Sequence, residues 1–323
     1  MNPNEAKETT SGAIMSTDPT TQYRTEGYAI VRNIYDQARV ERLQKICKRV
    51  HSQWQQAPLT DNPPVGPYAN YMRHLHHPEY HRQHREDLVY LLDAVADPKL
   101  IEKTNTIMGE ETMFFSLSYY FNPSGADCGG QWHKDKVFDS PDPRDQETGV
   151  GIQTQIALVS SDALQVVPGS HLREYTDAEH RICESENQAD TRRDDMPEAT
   201  QETLDPGDSM YFHHKAIHRG SMQATPPRQT MMISYRKSRL AKKLLGEDGL
   251  CQYSNQPWFL HPDYLDGTKE STREYFGKFT DLYGPAWRSQ LSEFLKYRSL
   301  IENLSDTDDP NPFFQSEPAE YAG

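Results

Sequence analysis

The residues able to do chemistry in this chain are two histidines, an aspartate and an arginine. The segment Gln131-Trp132-His133-Lys134-Asp135-Lys136 carries a His-x-Asp pair. A second histidine stands far downstream in Ala216-Ile217-His218-Arg219-Gly220-Ser221, and Arg228 follows it. Two histidines and one carboxylate that leave coordination positions open make the facial ligand set of non-haem Fe(II) centres. An arginine adds what a metal ligand lacks, a planar fork of donors for a second carboxylate.

The spacing has a physical basis. Alternate side chains of an extended segment share a face, so His133 and Asp135 project together with Gln131, and Trp132 turns the other way, toward a core. His218 must come from a different strand. Arg228 opens the run 228–236, dense in strand-favouring residues, and on alternation Arg228, Thr230, Met232 and Ser234 share a face. Other histidines near these motifs are given bland readings. His213 and His214 pack near His218 or face solvent, and His171 in Val167-Pro168-Gly169-Ser170-His171 holds a loop by hydrogen bonds. The cluster of His74, His76, His77, His81 and His84 lies among Arg73, Arg82 and Arg85 with no cysteine. It is expected to be a solvated or substrate-facing segment rather than a second metal site.

The elements that must position these groups can be outlined. Residues 1–20 are polar and expected to form a disordered tail. A short strand over 28–34 precedes an amphipathic helix over 36–54, where Val40, Leu43, Ile46, Cys47 and Val50 recur at helical spacing. Helices follow over 88–96 and 98–108, with Pro98 at a helix start. From Met113 the pattern becomes one of short strands divided by turn signals: 113–121 ending at Asn122-Pro123-Ser124-Gly125, the His133 segment, 150–159, 163–171, 209–214 after the Pro206-Gly207-Asp208 turn, and the Arg228 run. That pattern predicts a mainly β sandwich or barrel flanked by helices, the last of them over 272–283 and 286–301. A single domain over 21–303 is expected, with its β core at about 113–240 and a frayed tail over 304–323. The charged stretch 173–203 is expected to be a loop, either disordered or a mobile lid; Tyr68, Tyr71 and Met72 are further lid candidates.

Composition narrows the function classes. The 323 residues carry 34 basic and 48 acidic side chains, a net charge of −14, which disfavours nucleic acid and anionic membranes as partners. The basic group Arg236, Lys237, Arg239, Lys242 and Lys243 is expected to be a solvated helix face. Four cysteines, Cys47, Cys128, Cys183 and Cys251, lie far apart, which fits a reducing cytoplasm. The first residues lack the pattern of a signal peptide, and no run approaches the length of a membrane span. A homo-oligomer is left open.

Taken in order, Glu26-Gly27-Tyr28-Ala29-Ile30-Val31, His133-x-Asp135, Val167-Pro168-Gly169-Ser170-His171, Pro206-Gly207-Asp208, His218-Arg219-Gly220-Ser221 and Arg228 resemble the phytanoyl-CoA dioxygenase family of Fe(II)/2-oxoglutarate oxygenases over roughly 22–240. The resemblance implies a double-stranded β-helix, a cupin-like jelly roll with supporting helices. It implies His133, Asp135 and His218 as ligands of Fe(II), and Arg228 as partner of the distal carboxylate of the cosubstrate 2-oxoglutarate. Ser221 would assist that arginine, and Gln155, near where many members carry a tryptophan, would touch the cosubstrate. With O2, such a site would oxidise a small-molecule substrate while 2-oxoglutarate is decarboxylated to succinate. Asp135 favours hydroxylation, because related halogenases carry a small residue there; desaturation, epoxidation and rearrangement stay open. Two other classes are kept: a non-catalytic jelly-roll binding protein, and a cupin-type metal-dependent isomerase or lyase without cosubstrate. Neither has a use for Arg228.

Overall fold

The computed structural model describes residues 18–58, 71–121, 130–135, 140–162, 164–187, 189–220, 227–241 and 253–293. Residues 1–17 of the tail expected over 1–20, the tail over 304–323, Ser221, Tyr68, Lys242 and Lys243 lie outside them. Among the described residues no helix is long and apolar enough to cross a membrane.

The chain enters through α1 (Pro19–Glu26), a helix that the tail expectation overlapped. Its signals are local: the Asp18 carboxylate accepts from the Thr21 N–H, Pro19 opens the first turn, and Gly27 closes the helix in the left-handed region at φ 79°. Strand β1 (Tyr28–Val31) leads to α2 (Gln37–Gln56), capped by Asp36. This helix buries Val40, Leu43, Ile46, Cys47, Val50 and Trp54, each large apolar side chain contributing roughly 1.5–3 kcal/mol. Strand β2 (Tyr71–Arg73) and helices α3 (Arg85–Val95) and α4 (Pro98–Met108) follow. Then come β3 (Thr112–Phe121), the short helix α5 (Arg144–Thr148), β4 (Gly151–Ala157), β5 (Leu164–Val166), α6 (Asp177–Cys183) and β6 (Thr200–Gln201). The β region closes with β7 (Ser209–His213), β8 (His218–Gly220) and β9 (Gln229–Lys237), before α7 (Ser238–Ala241) and α8 (Glu270–Glu293).

The strands form two antiparallel sheets. The larger runs β1-β7-β4-β9-β3-β2 and the smaller β6-β5-β8, the two-sheet arrangement of a jelly roll. Alternation divides the large sheet cleanly. Ala29, Leu117, Tyr119, Ile152, Ile156, Tyr211, Met231, Ile233 and Tyr235 turn outward into the core shared with the helices. Their neighbours Tyr28, Met210, Phe212 and Met232 turn inward, toward Leu164 and Val166 of the small sheet. A bulge between Phe114 and Ser116 shifts the β3 register, so Phe114, opposite Tyr235, takes the helix side while Ser116, Ser118 and Tyr120 keep the inward face.

Four expectations need correction. Over its described residues, to Glu293, the C-terminal segment is one helix through Pro285, not two. Phe276, Phe279, Tyr283 and Trp287 are buried along one face, and Trp287 Nε1 donates to the Ser254 carbonyl at 2.9 Å; packing on both sides of the proline outweighs its missing N–H. The stretch 173–203 is folded over its described residues rather than an irregular loop. A capping box joins Thr176 and Glu179, Arg173 pairs with Glu179, and β6 pairs with β5. The histidine cluster is not solvated: His74, His76, His77 and His81 are all buried, and only His84 is substantially exposed. His76 Nε2 meets Gln256 Oε1 at 2.6 Å, His81 Nε2 donates to the Leu75 carbonyl, and Trp258 packs edge-on against His74 and His77. Lastly, Arg236 and Lys237 belong to β9, and Lys237 is buried against Asp145 at 2.6 Å.

That ion pair pins α5, the short helix that leads into β4. Asp145 also receives Arg239, and Lys237 Nζ donates to Thr148 Oγ1 at 2.8 Å. Burial works to raise the Asp145 carboxyl, but the bonds from Lys237, Ser140 and Arg239 outweigh it and hold the group below the usual carboxylate range. Removing Asp145 leaves the buried Lys237 ammonium, among the described residues, with only Thr148 and the carboxylate of Glu110 at 3.1 Å, so Asp145→Ala should lower unfolding free energy in urea by roughly 1–3 kcal/mol. A loss under about 1 kcal/mol would mean the pair is solvated.

Burial also holds His81 and His214 down to about 3, and His76 and His213 well below the ordinary value, with Arg49 beside His81 and Arg236 beside His214 adding to the effect. These rings are neutral in the fold and titrate near pH 6.5 once unfolded. The stabilisation is therefore complete above about pH 6.5 and declines as pH falls, by up to about 1.4 kcal/mol per pH unit for each group. Urea midpoints should drop steeply between about pH 6.5 and 4; a flat profile there would show the histidines already protonated in the native state.

Candidate metal and cosubstrate site

The His133 segment is extended but forms no regular strand; it joins β8 through an isolated bridge. His133 N–H donates to the His218 carbonyl at 3.1 Å and His218 N–H returns the bond at 3.0 Å. Gly130 N–H reaches Gly220 O, and Asp135 N–H reaches His214 O at 2.8 Å. Two residues remote in sequence thus become a directly opposed antiparallel pair, their imidazole centroids 4.5 Å apart.

Each imidazole is oriented from behind. His133 Nδ1–H donates to the Gln131 carbonyl at 2.8 Å, and His218 Nδ1–H to the Ala216 carbonyl at 2.9 Å. Both Nε2 atoms are left for a metal. Asp135 Oδ1 stands 3.4 Å from His133 Nε2 and 4.0 Å from His218 Nε2. Candidate ligand atoms from the three residues lie within 4.8 Å of one another, the one such cluster among the described residues. The His133 side chain is 48% exposed and that of His218 is 7% exposed, so the cluster sits at a mouth with one deep wall. Burial, then the proximity of His133, lowers His218 to about 4, which keeps it neutral. Burial pushes against ionised Asp135, but the bond to His133 and the field of His218 prevail and hold it at about 2; His133 is raised in return, against its own burial. A carboxylate and a neutral buried imidazole are the states a divalent cation requires.

Arg228 is buried at the foot of β9, at 1% exposure. Its Nη2 donates to Gln155 Oε1 at 3.0 Å and its Nε to Thr230 Oγ1 at 3.3 Å, and the guanidinium lies 5.0 Å from the Tyr120 ring centroid. Nη1 has no partner among the described residues. Burial brings Arg228 down to about 10, still a cation near neutral pH. A buried cation held by neutral groups with one donor open fits a ligand carboxylate.

The structure therefore brings together His133, Asp135, His218, Arg228 and Gln155. Three positioning groups escaped the sequence reading. Gln153 Nε2 donates to Asp135 Oδ2; its signal was its place two residues before Gln155, on the same face. Ser170 Oγ donates to the Val167 carbonyl at 2.6 Å and accepts from Ile217 N–H at 2.8 Å, beside His218. Arg219 lies 4.7 Å from the Trp132 ring centroid and donates to Asp194 and to the carbonyls of Arg192 and Arg193, the last of which also accepts from Trp132 Nε1. Lys134, between the two candidate ligands, donates to the carbonyls of Ser170 and Arg173. His171 Nε2 donates to the Arg24 carbonyl at 3.1 Å, the structural part expected of it.

Comparison with known proteins decides the family. The profile of phytanoyl-CoA dioxygenase (PhyH) matches residues 23–229. The chain belongs to the phytanoyl-CoA dioxygenase family. It is a non-haem iron, 2-oxoglutarate-dependent oxygenase with a jelly-roll core. Among solved structures, the non-haem alpha-ketoglutarate-dependent carbocyclase SnoK from nogalamycin biosynthesis is 16% identical, covering 70% of this chain and 85% of that one at a TM-score of 0.50. EctD from S. alaskensis, solved with 2-oxoglutarate and 5-hydroxyectoine, is 17% identical, covering 68% and 75% at 0.50. AviO1 from Streptomyces viridochromogenes Tue57 is 17% identical, covering 68% and 93% at 0.50. At these identities the likeness is one of fold. A search of curated proteins finds no match.

Ser170 links the Pro-Gly-Ser-His turn of this family member to the His218 strand. Ser170→Ala leaves the buried Ile217 N–H without its acceptor, at a cost of about 1–3 kcal/mol. Thermal melting should show that loss, and Co(II) titration a weaker metal site. Unchanged metal affinity would separate the turn from ligand placement.

Proposed function

We propose that His133, Asp135 and His218 are the iron ligands, that Arg228 receives the distal carboxylate of 2-oxoglutarate, and that the enzyme hydroxylates a small organic substrate. Gln155 orients the arginine in this reading, and Ser221, beyond the described residues, assists it. The reading is carried by the buried Arg228 guanidinium, which has only neutral partners and an open Nη1 among the described residues, on the inner face of the barrel whose mouth holds the His-Asp-His cluster.

Bound iron and 2-oxoglutarate would supply O2-dependent oxidation of the substrate with decarboxylation to succinate. The chain's own residues do the rest. The two Nδ1–H bonds hold the Nε2 atoms toward one centre, and Asp135 offers Oδ1 while Gln153 retains Oδ2. Phe212, with its ring centroid 4.9 Å from that of His218, and the apolar interior behind it keep water from that side. Asp135 occupies the position that favours hydroxylation. The net charge of −14 opposes a polyanionic coenzyme A thioester, and a substrate of specialised metabolism suits the chain better. Free thiols at Cys47 and Cys183 accord with a cytoplasmic setting.

Anaerobic addition of 2-oxoglutarate to the Fe(II) protein should produce a visible charge-transfer band, and aerobic incubation should release succinate. Asp135→Ala should abolish both iron retention and turnover. Arg228→Ala should weaken 2-oxoglutarate binding by about 2–5 kcal/mol, a factor of roughly 30 to several thousand in Kd, while iron stays bound. Undiminished turnover in Asp135→Ala would rule out the ligand set, and indifference to Arg228→Ala would favour a cosubstrate-free cupin-type isomerase or lyase.

A further inference from the structure

Strand β4 presents two glutamines two residues apart to the barrel interior, and each grips a different end of the site. Gln153 Nε2 donates to Asp135 Oδ2, and Gln155 Oε1 accepts from Arg228 Nη2 at 3.0 Å. The chemistry settles both amide orientations. A carboxylate only accepts, so Gln153 must face Asp135 with its NH2 group; a guanidinium only donates, so Gln155 must face Arg228 with its carbonyl. Engaging Oδ2 leaves Asp135 Oδ1 as the oxygen turned to the histidines, 3.4 Å from His133 Nε2. Engaging Nη2, with Thr230 on Nε, leaves Nη1 as the donor without a partner among the described residues.

The strand between these two grips is held on both sides. β4 lies between β7 and β9, with Gln153 opposite Phe212 and Ser234, and Gln155 opposite Met210 and Met232. A two-residue repeat along a strand spans about 6.5–7 Å and cannot stretch while both ladders hold. We propose that Gln153 and Gln155 are positioning residues, and that β4 is a rigid spacer setting the separation of metal end and carboxylate clamp to suit a five-carbon 2-oxo dicarboxylate over its four- and six-carbon homologues. The proposal rests on the ligand and clamp assignments above and adds to them a source of chain-length selectivity.

The test is equilibrium binding without O2. Fe(II) affinity is measured by chelator competition. The affinities of 2-oxoglutarate, oxaloacetate and 2-oxoadipate for the Fe(II) protein are measured by charge-transfer absorption and calorimetry. The wild type should prefer 2-oxoglutarate to either homologue by roughly tenfold or more. In Gln155→Leu the guanidinium loses its anchor: 2-oxoglutarate binding should fall roughly tenfold or more and its advantage over 2-oxoadipate should shrink, with iron affinity within about twofold of wild type. In Gln153→Leu iron affinity should fall roughly 10- to 100-fold while the preference among the three acids is kept. Gln→Asn at each position keeps the polar group but shortens its reach, and should give the same split in weaker form should the leucine variants fold poorly. Variants indistinguishable from wild type, a wild type without chain-length preference, or variants in which both affinities fall together with Tm would overturn the spacer. A wild type that binds neither Fe(II) nor 2-oxoglutarate would instead sink the site assignment itself.

Discussion

The reciprocal backbone pair between His133 and His218 is the constraint on which the site depends. Neither histidine sits in a long strand: one lies on a bridge and the other opens the short β8. Two hydrogen bonds at 3.1 and 3.0 Å would hold such segments weakly by themselves. The surrounding structure supplies what the ladder lacks. Trp132, Arg219 and the carbonyls of Arg192 and Arg193 form one clamp; Lys134 and the Ser170 turn form another. Both clamps act on residues adjacent to the candidate ligands, so the imidazoles are aimed by groups that never touch a metal. The charged stretch 173–203 belongs to this support: α6 and the 190–194 segment pack behind the pair, around Trp132, Ile182, Met196 and Ile217.

Charge is distributed with equal economy. Where it meets β1 and β7, the interior is filled by Tyr28, Met210 and Phe212, which leaves the polar inward residues of β3, β4 and β9 to line the functional part. There Asp135 carries the negative charge and Arg228 the deeper positive one, each tied to β4 through a glutamine. A guanidinium at 1% exposure with neutral partners is costly to bury, and under the proposed assignment a carboxylate bound at Nη1 would offset that cost. Stability elsewhere leans on neutral buried histidines and on the Lys237–Asp145 pair, so the basic look of 236–239 in the sequence concealed a structural anchor beside the site.

Much of the fold was legible because its signals are local. Pro98 and Gly109 bracket α4, Asp36 caps α2, and strand alternation correctly put Arg228, Thr230 and Met232 on one face. Misreadings fell where tertiary packing outweighs a local rule. Pro285 lies inside α8 because aromatic contacts before and after it carry the helix through. The histidines at 74–81 look polar in sequence, yet Trp258 and Phe259 arrive from far downstream to pack against them, and Gln256 bonds His76. Helix α1 was legible in Asp18-Pro19 and Gly27 but lay across the edge of a polar tail.

For the site, the sequence alone determined the kinds of groups available: two imidazoles, one carboxylate and a guanidinium, with His133 and Asp135 on one face by the two-residue period of an extended chain. Their convergence could not be read there, because the distance between His133 and His218 depends on strand pairing across a long connection and not on anything adjacent to either residue. Among the described residues, the tertiary structure decided three things: which imidazole nitrogen is free, which oxygen of Asp135 faces the histidines, and which donor of Arg228 is left open. Each follows from a hydrogen bond to a neighbouring group, and hydrogen bonds have a direction and a partner that only a folded backbone can supply.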